Sequence, residues 1–125
     1  SPLRIVDDVK NAFTQFLSED ADILITACPS RKNPYFNMIE KVDGEYKKVK
    51  LMEPLPTRRQ DAPVVYDMNA SIYIWKRNSI LHNNTLYTSN TSLYVMPEER
   101  SVDIDTDLDW KIVEYLMSTR EKVVN

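Results

Sequence analysis

The 125-residue sequence contains one glycine, Gly44, where average usage would supply roughly nine. That shortage excludes the glycine-rich phosphate cradles, because neither a G-x-G-x-x-G turn nor a Walker A loop can be assembled from it. One cysteine, Cys28, excludes an internal disulfide and suits a reducing cytoplasm. Cys28 ends an apolar run and reads as a small buried residue rather than a nucleophile. The one histidine, His82, stands far from it in sequence and gives no ground for a Cys–His dyad. No apolar run approaches the ~20 residues that cross a bilayer, so no membrane is expected. No basic region followed by an apolar stretch marks the first residues for secretion. Asn69-Ala70-Ser71, Asn83-Asn84-Thr85 and Asn90-Thr91-Ser92 match the glycosylation sequon and, without such a signal, read as chance. Positive charge is not in excess either. Sixteen Lys and Arg face 19 Asp and Glu, for a net charge of −3, which argues against a broad basic face for nucleic acid.

What is present is ordinary in bulk and unusual in one place. Hydrophobic content of 42% and charged content of 28% fit one globular domain, residues 1–125. Near the C-terminus, Asp103, Asp105, Asp107 and Asp109 occupy alternate positions. In an extended segment alternate side chains share a side, so Asp103 and Asp105 can converge on one point. Converging carboxylates repel unless a cation lies between them. Mg²⁺ suits such a pair, because it takes one or two carboxylates and completes its shell from substrate phosphates and water. Helix capping is the competing explanation. Thr106 and Asp109 have capping-box spacing, and Asp107 and Asp109 suit a helix N-terminus. Capping accounts for Asp107 and Asp109 but not for Asp103 and Asp105, which precede the helix.

Periodicity orders the rest. Val6, Val9, Phe13, Phe16 and Leu17 have helical spacing over Val6–Glu19, with Asp7 and Asp8 in the first turn. Asp22–Cys28 reads as a buried strand. Phe36–Glu40 and Tyr46–Leu51 form a hairpin about Asp43-Gly44. Glu53–Pro63 is a long proline-bracketed loop of the kind that tends to be functional. Val64–Trp75 ends in a strand, Asn78–Asn83 is a helical turn, Ser92–Met96 a strand, and Thr106–Glu121 an amphipathic helix. The expected class is α/β, a mixed sheet with helices and an antiparallel hairpin excursion. A helix followed by a buried strand is half of a βαβ unit, so the chain reads as the second half of a larger fold.

Five motifs occur in order: Ser1-Pro2-Leu3-Arg4, Cys28-Pro29-Ser30-Arg31-Lys32-Asn33-Pro34-Tyr35-Phe36, Arg58-Arg59-Gln60-Asp61-Ala62-Pro63, Asn69-Ala70-Ser71-Ile72-Tyr73 and Ser101-Val102-Asp103-Ile104-Asp105. Together they resemble the C-terminal half of an acylneuraminate cytidylyltransferase, the CMP–sialic acid synthetase family, across essentially the whole chain. The resemblance implies a Rossmann-like nucleotidyltransferase fold. It implies an enzyme that transfers CMP from CTP to a 2-keto acid sugar, sialic acid or a related nonulosonic acid, and releases pyrophosphate. It also implies Mg²⁺ on Asp103 and Asp105, and accounts for the missing glycines, since the family's glycine-containing CTP loop lies upstream of anything in this sequence. A glutamine that the family carries shortly before the Ser-Pro-Leu-Arg motif is likewise absent. Position 70 departs from the pattern: many relatives carry glycine in an Asn-Gly-Ala stretch.

The resemblance places substrate contacts at Ser1, Arg4, Arg58, Arg59, Gln60, Asn69 and Tyr73. Arg59 is the best match for the sugar carboxylate, which calls for a forked guanidinium. Each position has a plainer alternative: a solvated basic turn for Arg58 and Arg59, a hydrogen-bonded strand asparagine for Asn69, and a core or edge ring for Tyr73. Lys32 and Arg31 lack a fixed geometry. Arg59, Asp103 and Asp105 are the expected catalytic group. The family's habit of homodimerising, with a protruding piece reaching the partner's sugar pocket, points to Phe36–Pro63 as a contact region. The expected partners are therefore CTP, a nonulosonic acid, the N-terminal half and a second copy, and this fragment alone should not catalyse. The alternative is a non-catalytic binding or interaction module that keeps the fold.

Overall fold

The computed structural model describes residues 1–54 and 58–124, with side chains for all of these except Arg59 and residues 121–124. Residues 55–57 of the predicted Glu53–Pro63 loop lie outside the described residues. The chain is mixed α/β and divides into two compact units. The larger holds Ser1–Cys28 and the chain from Met68 onward; the smaller is Pro29–Asp67.

In the larger unit, helix α1 (Val6–Ser18) leads into strand β1 (Ile23–Pro29). The helix stops in a Schellman turn: Asp20 N–H donates to the Leu17 carbonyl at 3.2 Å and Ala21 N–H to that of Phe16 at 3.2 Å. The turn needs a left-handed residue, usually glycine; Asp20 takes it at φ 48°. β1 is buried at every position from Ile23 to Cys28, as its continuous apolar run predicts. Strand β5 (Ile74–Trp75) pairs antiparallel with its first two residues, and β6 (Thr91–Val95) runs parallel to Ile23–Ala27. α1 packs over β6, and Gln15 Nε2 donates to the Leu93 carbonyl at 2.8 Å. Ala12, Phe16, Ala21, Leu24 and Ile72 make the core, with Ile74 and Tyr94 against it. The short helix α2 (Arg77–His82) precedes β6. The long helix α3 (Asp107–Val124) follows it.

Two expectations need adjusting. The strand predicted at the end of Val64–Trp75 shrinks to the two residues of β5, with β4 (Tyr66–Met68) upstream. Ala70, held at φ 50°, breaks the run between them. The apolar stripe of α1 is only partly internal. Phe16 is buried beside Ala12 and Asp8, while Val6, Val9, Phe13 and Leu17 are exposed.

The smaller unit carries the predicted hairpin, β2 (Ile39–Val42) with β3 (Glu45–Lys48). Val42 faces Glu45 across the two-residue turn. Asp43 at φ 52° and Gly44 at φ 80° give it two left-handed residues, the requirement of a type I′ turn. Every residue of both strands is exposed. Lysine amines lie over rings along it, with Lys41 5.6 Å from Tyr46, Lys48 5.8 Å from Phe36 and Lys50 5.8 Å from Tyr35.

Candidate functional site

Asn69 organises the larger unit's candidate site. Its side chain is almost wholly buried and fully hydrogen-bonded. Oδ1 accepts from Thr26 Oγ1 on β1 at 2.7 Å and from the Ser71 N–H at 3.2 Å. Nδ2 donates to Ser101 Oγ at 3.0 Å and reaches Met96 Sδ at 3.5 Å. Ser101 opens the acidic stretch, so Asn69 ties that stretch to the central strand. Arg4 Nη1 donates to the Ser71 carbonyl, and Ser1 Oγ to the Arg100 carbonyl at 3.2 Å. The Ser1 ammonium lies 3.4 Å from Asp103 Oδ1. Three of the five motifs, separated by up to a hundred residues, therefore meet at one place.

The two carboxylates of the pair stand free of the capping network. Asp109 Oδ2 accepts from the N–H groups of Asp105 and Thr106, both at 3.0 Å, and Asp109 N–H donates to Thr106 Oγ1 at 3.2 Å. This is the predicted capping box with one extra backbone donor. The Asp105 N–H leads the bonds that hold the Asp109 carboxyl below its ordinary range. Asp105 spends only its backbone N–H there; its carboxylate has no hydrogen bond or ion pair among the described residues. Asp103 is half-buried and Asp105 exposed. No group of three or more His, Cys, Asp or Glu gathers here or elsewhere among the described residues. A carboxylate without a partner at Asp105 and one at Asp103 met only by the Ser1 ammonium, with no third protein ligand, suit an ion that draws its remaining ligands from phosphates and water, not an all-protein cage.

The smaller unit brings the other two motifs together. Ser30 N–H donates to the Val65 carbonyl at 3.0 Å and Asn33 Nδ2 to that of Pro63 at 3.2 Å. A cavity of about 390 Å³ opens between these stretches, lined by Ser30, Asn33, Gln60, Ala62 and Pro63 among others. Gln60 thus lines a cavity. Arg58 is held by Asp61, its Nε 3.3 Å from Oδ2, on the surface. Arg59 lies in a short 3₁₀ turn, Arg59–Asp61, and its side chain is outside the described part of the structure. Tyr73 stacks on Trp75 with ring centroids 5.4 Å apart and planes at 19°. Its ring is engaged with a neighbouring strand residue, and it has no described bond to the Asn69 group.

Asp8 and Arg100 were not singled out from the sequence. Asp8 is completely buried on α1 and receives two bonds from the Arg100 guanidinium. Arg100 immediately precedes Ser101, so this pair is the second anchor of the acidic stretch. A signal existed: Asp8, Ala12 and Phe16 recur at the i, i+4, i+8 spacing of one helix face, which puts a carboxylate in line with the core.

No protein-family model matches the chain. Curated proteins do. It is 48% identical over 120 residues to post-translational flagellin modification protein B of Campylobacter coli, covering 96% of this chain and 50% of that one. It is 53% identical over 97 residues to CMP-N,N'-diacetyllegionaminic acid synthase of Campylobacter jejuni, covering 78% and 40%. It is 31% identical over 111 residues to N-acylneuraminate cytidylyltransferase of Streptococcus agalactiae, covering 88% and 26%. The chain spans half or less of the length of these relatives. With the five motifs gathered as described, the chain belongs to the acylneuraminate cytidylyltransferase family.

Proposed function

We propose that this chain is the sugar- and metal-binding half of an enzyme that transfers CMP from CTP to a nonulosonic acid, releasing pyrophosphate. The sugar's anomeric hydroxyl attacks the α-phosphorus, so no protein nucleophile is required. Asp103 and Asp105 would hold Mg²⁺, which neutralises charge on the triphosphate and orients the reacting oxygens. Asn69 and Arg100 fix the backbone from which those carboxylates project, through Ser101 and Asp8. Gln60 and the Asn33 loop line a cavity for the sugar, and Arg59 is assigned its carboxylate. A legionaminic acid-type sugar is the first choice, because a relative at 53% identity is named for that product. The exposed hairpin is assigned to a second copy of the chain, and the CTP loop to an N-terminal half.

One observation carries the reading: the Asp105 carboxylate stands unspent, two residues from an Asp103 carboxylate met only by the Ser1 ammonium, on a stretch anchored at both Asn69 and Asp8. The test is Mg²⁺ titration with CTP in the protein that includes the N-terminal half. CTP should tighten Mg²⁺ binding, and Asp103→Asn or Asp105→Asn should reduce turnover by at least ~10²-fold. Mg²⁺ affinity indifferent to CTP, or full turnover in both variants, overturns it. The 125-residue chain alone should form no CMP-sugar.

A further inference from the structure

The cavity of the smaller unit has a lining that suits one part of a sugar acid better than the others. At about 390 Å³ it falls within the range of small-molecule sites. Pro29, Ala62, Pro63, Val64 and Val65 make most of its wall, and no described lining residue is charged. A carboxylate or a phosphate would lose its water there and meet no cation. A hydroxyl-rich part of the sugar would set its hydroxyls against prolines and valines and leave them without partners.

The polar groups of the wall are largely spent on the wall itself. The Ser30 N–H donates to the Val65 carbonyl at 3.0 Å. Asn33 is buried; its Nδ2 donates to the Pro63 carbonyl at 3.2 Å and its Oδ1 accepts from the Tyr35 N–H at 2.8 Å. Gln60 is the exception. It is exposed, and its side-chain amide makes no hydrogen bond among the described residues. A primary amide offers a donor and an acceptor side by side in one plane. Its complement is a second amide, whose carbonyl takes the NH₂ and whose N–H meets the oxygen. An acylamino group is such an amide and carries an apolar methyl on the far side.

We infer that this cavity is the specificity pocket for an N-acylamino substituent of the sugar: the Gln60 amide pairs with the acylamino group, and Ala62, Pro63 and Val65 take the acyl methyl. The inference rests on the reading that the chain binds a nonulosonic acid. It goes further by assigning the cavity to one substituent, and it leaves the sugar carboxylate to Arg59.

The test compares two sugars in the longer protein that includes the N-terminal half. One is a nonulosonic acid bearing acetamido groups; the other is the same sugar with those groups hydrolysed to amines. The parent should prefer the acetamido sugar at least ~10-fold in kcat/KM. Gln60→Glu alters an exposed side chain of the same length. It should cut that preference at least ~10-fold, mostly through KM, because a carboxylate cannot donate to the acyl carbonyl and attracts an ammonium group. Binding is read apart from turnover by the nuclear magnetic resonance signals of the Gln60 side-chain amide, which the acetamido sugar should shift and the amine should not. Equal kcat/KM for the two sugars in the parent, or a preference that Gln60→Glu leaves unmoved, overturns the inference and leaves the proposed function standing. Amide shifts without turnover overturn the proposed function and leave the pocket standing, whereas neither shifts nor turnover overturns both.

Discussion

Asp8 and Arg100 are joined by a forked ion pair across 92 residues of sequence: Nε and Nη2 each lie 2.9 Å from a different oxygen of the carboxylate. Tyr94 donates to the same carboxylate at 3.2 Å, and so does the Ile5 N–H at 3.1 Å. The last bond satisfies a donor at the start of α1. One buried side chain thus caps a helix, neutralises an arginine and fixes the residue before Ser101. Asp8→Asn keeps the shape but removes the charge, leaving the guanidinium without its counter-ion. Breaking a buried pair in this way costs about 3 kcal/mol, toward the lower end because Arg100 is a quarter exposed. Urea denaturation of the variant should show a midpoint shift of that size; a shift under about 1 kcal/mol would mean the pair is not buried in solution.

The same pair sets an acid limit. Burial pushes the Asp8 carboxyl up, but the Arg100 hydrogen bonds, the Ile5 N–H, the Arg100 charge and the Tyr94 hydroxyl together hold it below its ordinary range. A carboxyl depressed in the folded state binds its proton more readily when unfolded. Its stabilisation is therefore complete above about pH 4, the unfolded value, and is lost as pH falls through the folded one. Unfolding free energy should fall as pH drops below about 4, and the Asp8→Asn variant should lose part of that slope. Identical slopes in the two proteins would remove Asp8 as its source.

Ala70 occupies the left-handed region at φ 50° and is exposed. A Cβ there is crowded against the backbone, whereas glycine is not. Ala70→Gly should raise stability by about 1 kcal/mol, the relieved strain exceeding the added freedom of the unfolded chain. Calorimetry showing a lower melting temperature would mean the strain is absent.

Ser71 holds the one buried side-chain oxygen or nitrogen without a hydrogen-bond partner among the described residues. Its N–H and carbonyl are both satisfied, by Asn69 and Arg4, so only the hydroxyl is uncompensated. Ser71→Ala removes a desolvated group and no bond, and should be neutral or stabilising by up to about 1 kcal/mol. A loss of more than 1 kcal/mol would reveal a partner for that hydroxyl.

The features legible in the sequence are those decided within a few residues. Asp43-Gly44 sets the hairpin register because both positions must be left-handed, and Thr106 with Asp109 opens α3 because the box closes on itself. Periodicity located α1 but not which of its two apolar arcs meets the sheet. Phe13 and Phe16 look equivalent in sequence, and only the packing of Phe16 with Ala21, Leu24 and Ile72 separates them. Asn69 was legible as a motif residue and not as a hub, because its partners come from positions 26, 71, 96 and 101. Asp8 was hidden by its own position: an acid in a first helical turn needs no further explanation until Arg100 arrives.

Asp105 and Thr106 are adjacent, yet the structure gives them separable duties. Thr106 Oγ1 accepts from the Asp109 N–H and caps α3, whereas the Asp105 carboxylate takes no part in the cap. Thr106→Ala should therefore cost about 1 kcal/mol of stability and leave the coupling between Mg²⁺ and CTP in the longer protein unchanged. Asp105→Asn keeps the backbone N–H that Asp109 uses, so its melting temperature should match the parent's while the coupling weakens. Thermal melts and metal titrations of both variants check the pattern. Were Asp105→Asn to lower the melting temperature as Thr106→Ala does, and spare the coupling, Asp105 would be a capping residue like its neighbours.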